Sequence, residues 1–146
     1  MLVTSHSRIS SHPEGVMHIR FDHTIVPSTD KAASAAYYTE VFGLPPAREE
    51  APFLALDLGN DVAFCFAGWD REVAVQHYAF LVSEADFDGI YGRLRERGQD
   101  HWADAHARKP GEINHDDGGR GVYFRDPDGH WLEVITVRYG GRPSTV

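Results

Sequence analysis

From Met17 to Val26 apolar and polar residues alternate, with Met17, Ile19, Phe21 and Ile25 on one side and His18, Arg20, Asp22 and Thr24 on the other. A period of two sends successive side chains to opposite faces, so the segment predicts a β-strand with its odd positions inward, His23 among them. The spacing then turns helical through Ala36, Tyr37, Val41 and Phe42, with Thr29 or Asp30 available as N-cap and Gly43 as the stop before Pro45 and Pro46. A helix of about three turns is expected. Phe53 to Leu58 and Val62 to Phe66 then flank Gly59 and Asn60, a pair suited to a tight hairpin turn.

The same order recurs. Val73, Val75, His77, Ala79 and Leu81 share one face of a second strand, Ser83 caps a second helix whose stripe is Phe87, Ile90, Tyr91 and Leu94, and Gly98 ends it. Two more strands, Gly121 to Arg125 and Trp131 to Val137, are joined by Asp126-Pro127-Asp128-Gly129, and a short strand is expected near His101 to Ala103. His23 lies six residues before Thr29 and twenty before Gly43, while His77 lies six before Ser83 and twenty-one before Gly98. The fold class read from this repeat is α+β, two βαβββ modules (about 17–68 and 73–138) packed as one domain, because neither module can bury its sheet alone. Residues 1–16 lack any period or apolar signal core and read as an N-terminal tail, with Met17 as an alternative start, and 139–146 read as a C-terminal tail. Gln99 to Arg120 breaks the repeat and reads as a polar loop over the cleft between the modules.

Composition narrows the function classes. The net charge of −8 opposes a phosphate backbone, which argues against nucleic acid as a partner. No apolar run approaches the roughly 20 residues of a membrane span, so no membrane role is expected. Cys65 is the only cysteine, which rules out an intrachain disulfide and fits a reducing, cytoplasmic setting.

The candidate chemistry lies in ionisable residues on apolar strand rows. Glu133 has Trp131, Ile135 and Val137 as same-face neighbours, where an ionised carboxylate needs a cation or several donors to offset lost hydration. Singly, His23 and His77 also read as satisfied core histidines and Glu133 as the partner of an arginine. The repeat sets His23 and His77 at equivalent places, so with Glu133 they predict one divalent metal ion held in a shared cleft. Two imidazoles and one carboxylate leave open positions, as catalysis requires. In the strand equivalent to that of Glu133 only Cys65 is available as a fourth ligand, and it reads more simply as a small buried hydrophobe. His130 reads as a surface or supporting residue and Trp131 as core.

Phe21-Asp22-His23, Gln76-His77-Tyr78 and the run Gly121-Val122-Tyr123-Phe124-Arg125-Asp126-Pro127-Asp128-Gly129-His130-Trp131-Leu132-Glu133 resemble the vicinal oxygen chelate superfamily of glyoxalases, fosfomycin-modifying thiol transferases, bleomycin-resistance proteins and extradiol dioxygenases. The resemblance covers about residues 17–138. It implies that His23, His77 and Glu133 are the metal ligands and that the chain forms a homodimer around a small-molecule substrate. Ile113-Asn114-His115, Val122-Tyr123, Asp126-Pro127, Gly129 and Glu133 are similar in order and spacing to the extradiol dioxygenase signature. That likeness implies Fe2+, with Mn2+, Ni2+ or Zn2+ as alternatives, a small catechol-like substrate, and His115 and Tyr123 as catalytic residues near the substrate oxygens. The residue types alone leave Tyr123 equally readable as a packed aromatic and His115 as a solvated loop residue. Other members carry out glyoxalase-like isomerisation, add thiols to epoxides, or bind drugs without turnover.

Overall fold

Asp30 and Ser83 decide where the helices begin. Each has extended backbone and accepts a hydrogen bond at its side chain, from Ala33 N (3.0 Å) and Asp86 N (3.1 Å), so an otherwise orphaned amide of the first turn is satisfied. Gly43 ends the first helix in the left-handed region, φ 69°, where its amide returns to Thr39 O. The computed structural model describes residues 18–143, so the expectations for residues 1–16 and for Met17 lie outside them.

The first module comprises β1 (His23–Ser28), α1 (Lys31–Phe42), β2 (Arg48–Glu50), β3 (Phe53–Asp57) and β4 (Ala63–Gly68). The second comprises β5 (His77–Leu81), α2 (Glu84–Glu96), β6 (His101–Trp102), β7 (Gly121–Arg125) and β8 (Trp131–Ile135). Each forms a four-stranded mixed sheet, in the orders β1-β4-β3-β2 and β5-β8-β7-β6. The first strand of each runs parallel to the last, and the other neighbours are antiparallel. This α+β architecture repeats strand for strand, as the sequence predicts.

Two local expectations change. The hairpin turn takes in Gly59 to Asp61, closed by Leu58 N to Val62 O at 2.9 Å, and the left-handed positions are Gly59 (φ 98°) and Asp61 (φ 62°). A strand also forms at Arg48–Glu50, which has no apolar period. All three residues are exposed, and pairing with β3 plus the Arg48 guanidinium on Asp57 (3.1 Å) holds them.

The side of the sheets that is buried is the larger correction. In β1 the chain buries Val26 and Ser28, while Ile25 is 37% exposed and Ile19 and Phe21, which precede the strand, are 84% and 64% exposed. In β5 it is Tyr78 and Phe80 that pack on the core, and His77, Ala79 and Leu81 stay exposed. The reason is the helix cover. α1 packs against β1, β3 and β4 on the face carrying Val26, Phe64 and Phe66, where Tyr38 meets Phe66 at 5.1 Å between ring centroids. Phe42 on Phe80 (4.7 Å) and Phe64 on Tyr78 (4.9 Å) continue that core from one module to the other. Each such buried aromatic contributes on the order of 1.5–3 kcal/mol of burial free energy, enough to fix which face of a period-two strand turns inward.

A polar joint crosses the same boundary. His130, expected at the surface, is fully buried: Gln76 N donates to its Nδ1 (3.0 Å) and its Nε2 lies 3.1 Å from Pro27 O. An imidazole that accepts at Nδ1 and donates at Nε2 satisfies one backbone group from each module. Beside it Asp126 accepts from Tyr38 Oη (2.9 Å), Asp128 N (2.9 Å) and His130 N (2.8 Å), while burial raises its carboxyl pKa. Asp128 accepts from Thr29 N (2.9 Å) and Ser34 Oγ (3.0 Å). No helix among the described residues is long and apolar enough to cross a membrane.

Candidate metal centre

The site begins with the register of β5 and β8. His77 is paired with Trp131, and the next residue pair on the same face sets Ala79 beside Glu133. Antiparallel pairing then puts Tyr123 of β7 opposite Glu133, and Trp102 of β6 opposite Tyr123. His77, Trp131, Glu133, Tyr123 and Trp102 therefore share the face of the second sheet that no helix covers.

Glu133 is 1% exposed, and no lysine or arginine among the described residues pairs with it. The expected alternative, a Glu133–arginine pair, is thus not found. Its carboxylate faces His77 Nε2, 3.3 Å from Oε2, and accepts from the hydroxyl of Tyr139, which lies 2.6 Å from Oε1 and also contacts Oε2. The His77 ring is oriented from behind, because Nδ1 sits 2.8 Å from Trp131 O, an atom that can only accept. With Nδ1–H donating there, the neutral ring turns a lone pair at Nε2 toward a carboxylate oxygen. Two acceptors facing each other are unfavourable unless a proton or a cation lies between them, and the spacing lets one ion touch both.

His23 is oriented in the same manner. Its Nδ1 lies 2.6 Å from Asp22 Oδ2, which leaves Nε2 as the ring atom available to a ligand. It lines a different hollow, however, on the open face of the first sheet, with Arg48, Glu50, Asp57 and Cys65. Among the described residues no three His, Cys, Asp or Glu side chains of the one chain come together as metal ligands. The structure therefore brings His77 and Glu133 together and leaves His23 apart. The cleft expected between the modules of a single chain is two open half-clefts, because the helix-covered faces, not the ligand faces, meet in the core.

His115 and Tyr123 share one hollow, of about 440 Å³, on the second sheet. Tyr123 is buried, and burial, followed by hydrogen bonding to Tyr139 and Glu133, pushes its phenol far above the usual range, so it stays protonated. His115 is exposed on the loop that roofs this hollow, directly before a short 3-10 turn at Asp116–Gly118. Asn114 anchors the loop: Nδ2 donates to Ala103 O (2.8 Å), and its backbone exchanges hydrogen bonds with Gly121. A Cβ on Gly121 would stand 2.8 Å from the Asn114 side chain, so a larger residue there would displace the Asn114 amide.

Trp131 departs from its expected core role. It is half-buried on the open face, with Tyr123 nearly parallel to it at 5.7 Å, Trp102 at 5.3 Å and the Arg125 guanidinium over its ring at 4.7 Å. Tyr139 is the residue that sequence reading missed. It belongs to a 3-10 turn, Tyr139–Gly141, in the segment read as a tail. The available signal was parity, since Tyr139 continues the odd-numbered row of Glu133, Ile135 and Val137.

Comparison with known proteins agrees with the fold. A solved structure described as "Oxidase ChaP-H1" is 52% identical, with a TM-score of 0.83 over 85% of this chain and 100% of that one. A second, "Oxidase ChaP-H2", is 48% identical at a TM-score of 0.83, over 86% of this chain and 98% of that one. Among curated proteins, "Metallothiol transferase FosB" of Shouchella clausii is 35% identical over 134 residues, 84% of this chain and 80% of that protein. The profile of the Glyoxalase/Bleomycin resistance protein/Dioxygenase superfamily matches residues 20–134, the stretch that holds both sheets, His23, His77 and all but the last residue of β8. The chain belongs to that superfamily.

Proposed function

We propose that the protein is a divalent-metal-dependent enzyme whose metal is held by His77 and Glu133 of one chain and His23 of a second copy, and that it cleaves the ring of a small catechol-like substrate with dioxygen. The observation that carries the metal is the His77 Nε2 atom 3.3 Å from a buried Glu133 carboxylate beside which, among the described residues, no lysine or arginine stands. A second copy is supported by the edges of the sheets. β1 and β5 each have one unpaired side, and the exposed large apolar residues Ile19, Phe21 and Ile25 cluster at the first, Val75 and Leu81 at the second. Apolar strand edges of this kind call for a covering surface, and a two-fold partner supplies two such surfaces at once.

A bound divalent ion supplies the positive charge that chelating substrate oxygens need and, when it is iron, the means to react with dioxygen. The remaining work falls to side chains. The half-buried Trp131 and Trp102, with Tyr123 stacked against Trp131, offer an aromatic patch beside Glu133 for a planar substrate. Tyr123, held protonated, donates to oxygen charge that develops beside Glu133. His115, on the roof of the hollow, takes the hydroxyl proton of the bound catechol and returns it to the product. The reaction inserts both atoms of dioxygen beside the broken ring bond, so it balances without an external reductant. Similarity to oxidases at 52% and 48% identity supports this reading over the others.

The second reading is thiol addition to a small epoxide, with the metal as Lewis acid, and it is favoured by the 35% identity to a metallothiol transferase. The test is anaerobic loading with Fe2+, then a catechol panel and oxygen. Oxygen uptake matched to a coloured ring-opened product is expected. No uptake across the panel, with Mn2+-dependent loss of epoxide and thiol instead, would establish the second reading.

A further inference from the structure

The Tyr139 hydroxyl straddles the Glu133 carboxylate, 2.6 Å from Oε1 and in contact with Oε2, and lies 3.5 Å from the Tyr123 hydroxyl. That is the position from which a cation would bind a carboxylate through both oxygens. A phenol carries a single proton and satisfies a buried anion less completely than a metal ion does. The ring sits on the turn Tyr139–Gly141 and is 54% exposed, so it can leave without opening the core. The turn is tied to the roof of the hollow, because Gly140 N donates to Asp117 Oδ2 (3.1 Å), two residues beyond His115.

We propose that Tyr139 is a displaceable stand-in for the metal. It stabilises Glu133 in the metal-free chain, competes with the incoming ion for the carboxylate, and on displacement releases the 115–118 loop through Asp117. The inference rests on the metal-site reading above, and two consequences separate it from that reading. Removing the hydroxyl removes the competitor, so metal binds more tightly. Loading the metal also loosens a loop that touches no ligand.

The test compares wild type with Tyr139→Phe and Glu133→Gln, each made metal-free and titrated with Co2+ under anaerobic conditions by calorimetry and visible absorption, with amide hydrogen exchange over residues 115–120. Tyr139→Phe is expected to bind Co2+ about tenfold more tightly with an unchanged visible spectrum, since a lost charge-assisted hydrogen bond to the apo carboxylate is of that order. Exchange at 115–120 should accelerate on Co2+ addition in wild type, and should already be fast in metal-free Tyr139→Phe. Equal affinity of the two proteins, with Glu133→Gln still abolishing binding, would overturn the stand-in role alone. Weaker binding with an altered spectrum would make Tyr139 a ligand and overturn it as well. Failure of wild type to bind Co2+ at all would overturn both this inference and the metal reading.

Discussion

The two modules share strand order and pairing, and they differ at two places on their open faces. In the first module His23 pairs with Ala63 and the next residue pair on that face sets Ile25 beside Cys65, whereas in the second His77 pairs with Trp131 and Ala79 lies beside Glu133. Cys65 and Glu133 are thus structural equivalents. Burial, the largest influence on it, raises the Cys65 thiol pKa, so the first module offers a neutral thiol where the second offers a carboxylate. The second difference is the link between the two antiparallel strands. Ala51–Pro52 joins β2 to β3, while residues 103–120 join β6 to β7 and roof the hollow with His115. The first module presents a histidine on an unroofed sheet, and the second carries the carboxylate, the roof and the stacked aromatics.

The comparison is broken most sharply at Glu133. Glu133→Gln should lower metal affinity by more than about 100-fold, beyond what loss of a supporting contact costs, while leaving the metal-free protein as stable or more so, because a neutral amide replaces an anion with no cationic partner. Calorimetric titration and thermal unfolding with and without metal read both. Next is the joint between modules. His130→Ala removes a fully buried ring that satisfies Gln76 N and Pro27 O, and should cost about 2–4 kcal/mol in urea unfolding.

Whether the halves cooperate across chains is sharpened by mixing. His23→Ala and Glu133→Gln are each expected to be inactive alone, and co-refolding equal amounts should restore about a quarter of the wild-type activity, since half the dimers are mixed and each mixed dimer has one intact site of two. No recovery would mean that the three donors come from a single chain.

A smaller effect concerns acid stability. Desolvation at Asp128 is outweighed by hydrogen bonds from Thr29 and Ser34, so its folded pKa is lowered from 3.8. A lowered carboxyl pKa means that its stabilisation is complete above the ordinary aspartate value and fades as pH falls through the folded one. The stability of Asp128→Asn should therefore fall less than that of wild type as pH drops below about 4. Smallest of all, Cys65→Ser should change metal affinity by less than about threefold, because a protonated buried thiol is a poor ligand.

The period-two rows, both N-caps, Gly43 and the repeated order were legible in the sequence because each is a local signal: a face, a cap or a left-handed residue. Glu133 was legible as a buried anion for the same reason. The direction in which the rows point was not. Alternation at Ile19, Phe21 and Ile25 states that one side is apolar, and it does not distinguish a helix from a second chain as the cover. The buried His130 was missed because its partners, Gln76 N and Pro27 O, are backbone groups that leave no mark in side-chain identity. Strand Arg48–Glu50 was missed because an exposed edge strand needs no apolar residue.

The contact between Gly121 and the Asn114 side chain constrains how this scaffold can diversify. A methyl group at that point would push on the Asn114 amide that ties the loop to Ala103 O, so enlarging Gly121 disturbs the loop's anchor beside β7. The rim residues Ala105, Lys109 and Glu112 are exposed, so larger side chains there grow into solvent. Changes at that rim leave the Asn114 anchor and its pairing with Gly121 untouched.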